Sequence, residues 1–188
     1  MRRVFYALVI AAFVCSPVFG ASSTEMARMG TFISNFTELG MYDIDIDTIT
    51  SEELVHFGVW HNYINNRNSR VKRCSRKKCP YGELVIDKKY VAESVRKYFD
   101  VVLEHASTED EHYDGKVYHF AAADGVPDYA DVQEVSRNGN IITMRGEVYS
   151  SGVGEEKVAS FIARAKPYKF KGKNTWAILS LKTQWYNR

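Results

Sequence analysis

The apolar residues of this chain change period once, and that change restricts the fold more than any other feature. Up to about residue 102 they recur at helical spacing; from Asp114 onward they alternate. Met26, Met29, Phe32, Ile33, Phe36 and Leu39 predict a first helix that stops at Gly40, with Gly30 weakening its first turn. Thr50-Ser51-Glu52-Glu53 has the form of a capping box, in which the Thr50 hydroxyl accepts from the Glu53 N–H while Glu53 reaches back. Leu54, Phe57, His61 and Ile64 extend it into a second helix running to Asn65-Asn66. Asp87 reads as the N-cap of a third, with Val91, Val95, Tyr98, Phe99 and Val102 on one face.

In the alternating half, segment 116–122 is a short strand after the Asp114-Gly115 turn, and Asp124-Gly125 with Pro127 marks another turn. Segments 129–136 and 141–150 form a hairpin, with Asn138-Gly139 supplying positive φ angles. A further strand, 157–165, is ended by Pro167, and the Lys171-Gly172-Lys173 turn leads into 175–185. Helices first and an antiparallel meander after them predict an α+β fold, with N-terminal helices packed on a curved C-terminal sheet. A cone of the cystatin or nuclear-transport-factor-2 kind is the expected form.

Phe32-Ile-Ser-Asn-Phe36, the run from Phe57 to Asn66, Lys97-Tyr-Phe99 and Tyr118-His-Phe120 followed by Asp124-Gly125 resemble a group of uncharacterised exported bacterial proteins. The resemblance spans most of the chain after residue 20. Its motifs are aromatic and turn-forming, so it implies export and architecture but no activity.

Export is also legible in the first twenty residues. Arg2 and Arg3 precede an apolar run, 4–14, too short to span a bilayer, and Pro17 breaks it. Cleavage is expected between Gly20 and Ala21, leaving one α+β domain over 21–188 in a periplasmic or secreted setting. Cys15 is not a lipidation site, because Val14 stands where a small residue is required. Arg2 and Arg3 leave with the signal and no acid does, so the formal charge of +2 becomes neutral. The pI is therefore no sign of nucleic-acid binding, and Tyr63 and Tyr81 only flank the basic cluster without interleaving it, so nucleic acid is not the expected partner; no later segment is apolar for long enough to span a membrane.

Cys74 and Cys79 remain, and two close cysteines in an oxidising compartment predict a disulfide. Such a short loop contributes about 2 kcal/mol in the chain-entropy model. Cys-x4-Cys is not the spacing of thiol oxidoreductases, and zinc would need His56 or His61 brought to the loop; neither metal nor cofactor is predicted. Around the cysteines, Arg67, Arg70, Lys72, Arg73, Arg76, Lys77 and Lys78 are basic with no acid among them. Crowding like charge costs energy that an anionic ligand or an acidic protein would relieve.

The five histidines form no metal or protease motif. His61 lies on the apolar stripe of the second helix, and His119 alternates with Tyr118 and Phe120. Asp43-Ile-Asp45-Ile-Asp47 begins like a calcium loop, but Thr48 replaces the glycine and Leu54 the bidentate glutamate, so a short extended segment is expected. Glu109-Asp-Glu111 with Asp114 reads as a solvated turn able to pair with the basic loop.

No catalytic residue is assigned. The expected function is a non-enzymatic exported binding module whose basic, disulfide-tied loop meets an anionic partner. Two alternatives are a pocket protein for a small apolar ligand, lined by His61, Tyr118 and His119, and a structural envelope component.

Overall fold

The computed structural model describes residues 21–186 apart from positions 77, 80, 124, 126, 154 and 155; the expected signal segment, Lys77 and Asp124 lie outside the described residues. Three α-helices precede most of the strands. α1 (Ser23–Thr37) starts at Ser22, whose hydroxyl accepts from the Glu25 N–H at 3.2 Å. α2 (Ser51–Arg70) has the full capping box: Thr50 Oγ1 accepts from Glu53 N at 3.2 Å and Glu53 Oε2 accepts from Thr50 N at 2.8 Å. α3 (Lys88–Phe99) is capped by Asp87, which accepts from the Lys89 N–H at 2.9 Å.

Two helix ends differ from the expected ones. Asn66 leaves helical geometry (φ −137°), yet a further turn carries α2 on to Arg70, so Arg67 and Arg70 ride on a helix and not in a loop. α3 stops at Phe99 because Asp100 turns left-handed (φ 59°), which leaves Val102 81 % exposed and off the apolar face.

The strands form two sheets where one was expected. β1 (Asp43–Asp45), β6 (Asp128–Asn138), β7 (Ile141–Ser150), β8 (Glu156–Phe170) and β9 (Lys173–Trp185) make an antiparallel sheet ordered β1-β9-β8-β7-β6. A smaller antiparallel sheet, ordered β2-β3-β5-β4, is built from β2 (Val71–Arg73), β3 (Leu84–Asp87), β4 (His112–Tyr113) and β5 (Val117–Phe120). β2 escaped the sequence reading because a three-residue, charge-bearing edge strand has almost no periodicity of its own. β1 is the extended aspartate segment, and Lys182 Nζ meets Asp43 Oδ1 at 2.5 Å across its pairing with β9.

The β6–β7 loop is Gly139-Asn140, with only Gly139 at positive φ, so Asn138 belongs to the strand. Lys171 and Gly172 both adopt positive φ, giving the tight turn that joins β8 to β9. Pro167 does not end β8; it pairs with Trp176, beyond the point where β7 stops, so one side of β8 is open and a missing N–H is tolerated.

One cluster of buried side chains draws on all three helices and both sheets. At its aromatic centre Phe57 lies 5.2 Å from Phe36, 4.9 Å from Phe99 and 5.3 Å from Tyr98, ring centre to ring centre. α1 seals the open edge of β6: Ser34 Oγ accepts from Ala130 N at 2.9 Å, and Thr37 Oγ1 donates to the Asp128 carbonyl at 2.9 Å. Gly30 permits that approach, since a Cβ there would stand 3.0 Å from the Ala130 carbonyl oxygen. No helix among the described residues is long and apolar enough to cross a membrane.

Candidate functional site

The basic residues singled out by the sequence do not stay together. Arg70 turns inward, donating to Asn62 Oδ1 at 3.1 Å and to Glu93 Oε1 at 3.0 Å. Arg67 lies over the Tyr63 ring, 4.7 Å from its centre. Arg76 pairs with Asp114 at 2.9 Å, the pairing of basic loop and acidic turn that the sequence suggested. Lys72, Arg73 and Lys78 are exposed and carry no ion pair among the described residues.

Arg70 thereby enters a cleft of about 430 Å³ between the last turn of α2, α3 and the β8–β9 turn. Glu93 bridges Arg70 and Lys171, the latter at 2.8 Å. Burial would raise the Glu93 pKa, but the Lys171 hydrogen bond and the two positive charges hold it below the ordinary value. Lys97 and Lys173 also line the cleft, and neither has a carboxylate within ion-pair distance among the described residues. Lys97 Nζ donates to the Tyr98 hydroxyl at 3.1 Å and lies 4.5 Å from the centre of that ring. Its pKa is lowered by burial first and then by the Arg70 charge, with Lys173 adding to the effect and Glu93 opposing it. Four cations thus share one carboxylate. His61 closes the cleft floor, stacked 5.4 Å from Phe57 and neutral, its pKa pushed down to about 3 by burial, Lys97 and Arg70.

A second constellation surrounds the disulfide. Cys74 and Cys79 are bonded, with Cα atoms 6.4 Å apart. Their loop folds over the outer face of the small sheet, where the ladder aligns Lys72, Val85, His119 and His112. His119 is 2 % exposed: its Nδ1 faces Cys79 Sγ at 3.5 Å and its Nε2 faces Asp114 Oδ2 at 3.0 Å. The Asp114 carboxyl is held far below the usual range by hydrogen bonds from the Val117 backbone and His119, with a smaller one from Lys116. Tyr81 stacks on His112 with ring centres 3.6 Å apart. Gly82 (φ 118°) brings the loop against β5, where a Cβ would sit 2.2 Å from the Phe120 carbonyl. Ligand-type atoms of Cys74, Cys79 and His119 lie within 4.8 Å of one another, but sulfurs joined to each other offer no thiolate to a metal. His56 and His61 are elsewhere.

The three residues nominated for one apolar pocket part company. Tyr118 is fully buried and bonds His105 Nδ1 at 2.9 Å; its neighbour His119 points to the opposite face of the sheet, because strand side chains alternate; His61 lines the basic cleft. Glu111 differs from the solvated turn expected of it. It is 1 % exposed, not solvated, and accepts from Trp60 Nε1 at 2.6 Å and from Thr108, with His56 Nδ1 at 3.1 Å.

The fold is thus α+β, with two antiparallel sheets and a short disulfide-tied loop. No protein-family model, curated protein or solved structure matches the chain.

Proposed function

We propose that this is an exported, non-enzymatic binding module for an anionic ligand, and that the ligand's negative charge is met in the cleft formed by Arg70, Lys97, Lys171 and Lys173. The carrying observation is that four cations line a recessed cleft with one carboxylate, while Lys97 is half-buried and makes no ion pair among the described residues. Like charge held in partial burial is costly, and a bound phosphate, sulfate or carboxylate relieves it. Asn66, Ser94, Asn174 and Thr175 supply neutral hydrogen-bonding groups around the same space. The Cys74–Cys79 bridge is compatible with an oxidising compartment, as the N-terminal signal pattern requires.

Thermal unfolding with inorganic phosphate or sulfate tests the reading. The wild-type melting temperature rises with anion concentration. Lys97→Met melts higher than wild type without anion, by up to about 1 kcal/mol after solvent screening, and loses the response. A Lys97→Met protein that responds like wild type refutes the assignment.

A second reading keeps the exposed loop as the contact with a large anionic partner, favoured by the lack of ion pairs at Lys72, Arg73 and Lys78 among the described residues. Arg73→Glu with Lys78→Glu then abolishes retention on an acidic polysaccharide column while leaving the phosphate response intact. Unchanged retention removes this second contact.

A further inference from the structure

We infer that Cys74–Cys79, with His119 and Asp114, is a thiol–disulfide exchange centre, in which Cys79 is the sulfur released as thiolate. The inference is independent of the anion cleft, which shares none of these residues.

The geometry distinguishes the two sulfurs. Among the described residues, only Cys79 Sγ has a histidine nitrogen within hydrogen-bond distance, at 3.5 Å, and that imidazole is almost wholly buried. Asp114, kept ionised by two backbone N–H groups, accepts a hydrogen bond from Nε2–H and so fixes the ring and its tautomer. Nδ1 is then left facing a disulfide sulfur, which has no proton to give and is a weak acceptor. A buried ring nitrogen so placed is poorly satisfied while the bridge is closed. Reduction supplies what is missing: a Cys79 thiol donates to Nδ1, or a Cys79 thiolate accepts from it in a charge-assisted bond. The fold therefore favours the reduced state at Cys79 beyond what an ordinary structural bridge would, which makes the bridge a better oxidant. Arg76, bound to the same Asp114 oxygen as His119, and the exposed Arg73 and Lys78 add positive potential that favours a thiolate.

The chemistry balances with thiols as the co-reactant. An incoming thiolate attacks Cys74 Sγ; the S–S bond breaks, and its electron pair goes to Cys79 Sγ beside His119. A second thiolate attacks the substrate sulfur of the mixed disulfide and releases Cys74. Two substrate thiols become one disulfide, and the protein gains two electrons and two protons. The surrounding cations favour thiols that carry negative charge, for which glutathione is the probe.

The test equilibrates the protein with glutathione redox buffers, with a chelator present so that metal capture cannot mimic reduction. Thiols are then alkylated and located by peptide mass spectrometry. In reduced wild type, Cys79 reacts at lower pH than Cys74, a comparison that needs no variant. His119→Gln moves the exchange constant at least tenfold toward the disulfide, about 30 mV. Equal pH profiles for the two cysteines overturn the inference whatever the variant does. So does an exchange constant that His119→Gln changes less than twofold in a folded protein.

Discussion

His61 carries a large pH liability for so small a group. Its pKa in the folded protein is about 3 against an ordinary 6.5, because burial and the charges of Lys97 and Arg70 all oppose a proton. The unfolded chain has no such restriction and binds the proton first. Stability is therefore intact above pH 6.5 and declines as pH falls toward 3, by at most about 1.4 kcal/mol per pH unit from this residue. His61→Phe keeps the stack on Phe57 and removes the titrating group. Its denaturant midpoint varies less between pH 6 and pH 4 than that of wild type; parallel curves would show that the ring is protonated in the native state. The sequence placed His61 on an apolar stripe and so foresaw its burial. It could not foresee the two cations that suppress its charge, since Lys97 comes from α3 and Arg70 turns inward at the end of α2 toward Glu93 of α3.

Short elements depend on their neighbours more than on themselves. The capping box of α2 was legible because its parts lie three residues apart, whereas β2 and β4 exist only because β3 and β5 offer ladder partners. The disulfide loop is likewise positioned by contacts outside its ring, chiefly Tyr81 on His112 and Gly82 against Phe120. Gly82→Ala combines an unfavourable positive φ with a clash against backbone that cannot move aside. It costs about 2–3 kcal/mol, measured by equilibrium denaturation, and exposes His119 to solvent exchange. A loss below about 0.5 kcal/mol would mean that the loop is not held against β5. Gly82 lies in a stretch rich in charge with no periodicity, so nothing local announced its role.

Over the whole molecule, the segment between α3 and β4 is tied to α2 by one carboxylate. Burial pushes the Glu111 pKa up, but hydrogen bonds from His56, Thr108 and Trp60 and the His56 charge outweigh it, leaving it below the ordinary 4.5. The stability it contributes is thus present above pH 4.5 and is lost as pH falls through the lower, folded value. Glu111→Gln presents an amide N–H₂ to groups that are already donors and costs about 1–3 kcal/mol at pH 7. The gap to wild type narrows below pH 4.5; a constant gap would show that the carboxylate's charge is irrelevant. Composition alone made Glu109-Asp-Glu111 a solvated turn, and for Glu109 and Asp110, both exposed, it is one. What the chain determined by itself was local: three helices, the caps of α2 and α3, the long hairpins, the α+β order of elements and the bridge between neighbouring cysteines, because period and spacing act within a few residues. Only tertiary structure decided that the strands divide into two sheets, that Arg70 leaves the basic run for a cleft, and that His119 and Asp114 stand behind Cys79. Those arrangements join residues far apart in the chain, from Cys79 with His119 to Asp43 with Lys182, and their energies exist only once burial has removed the competing water.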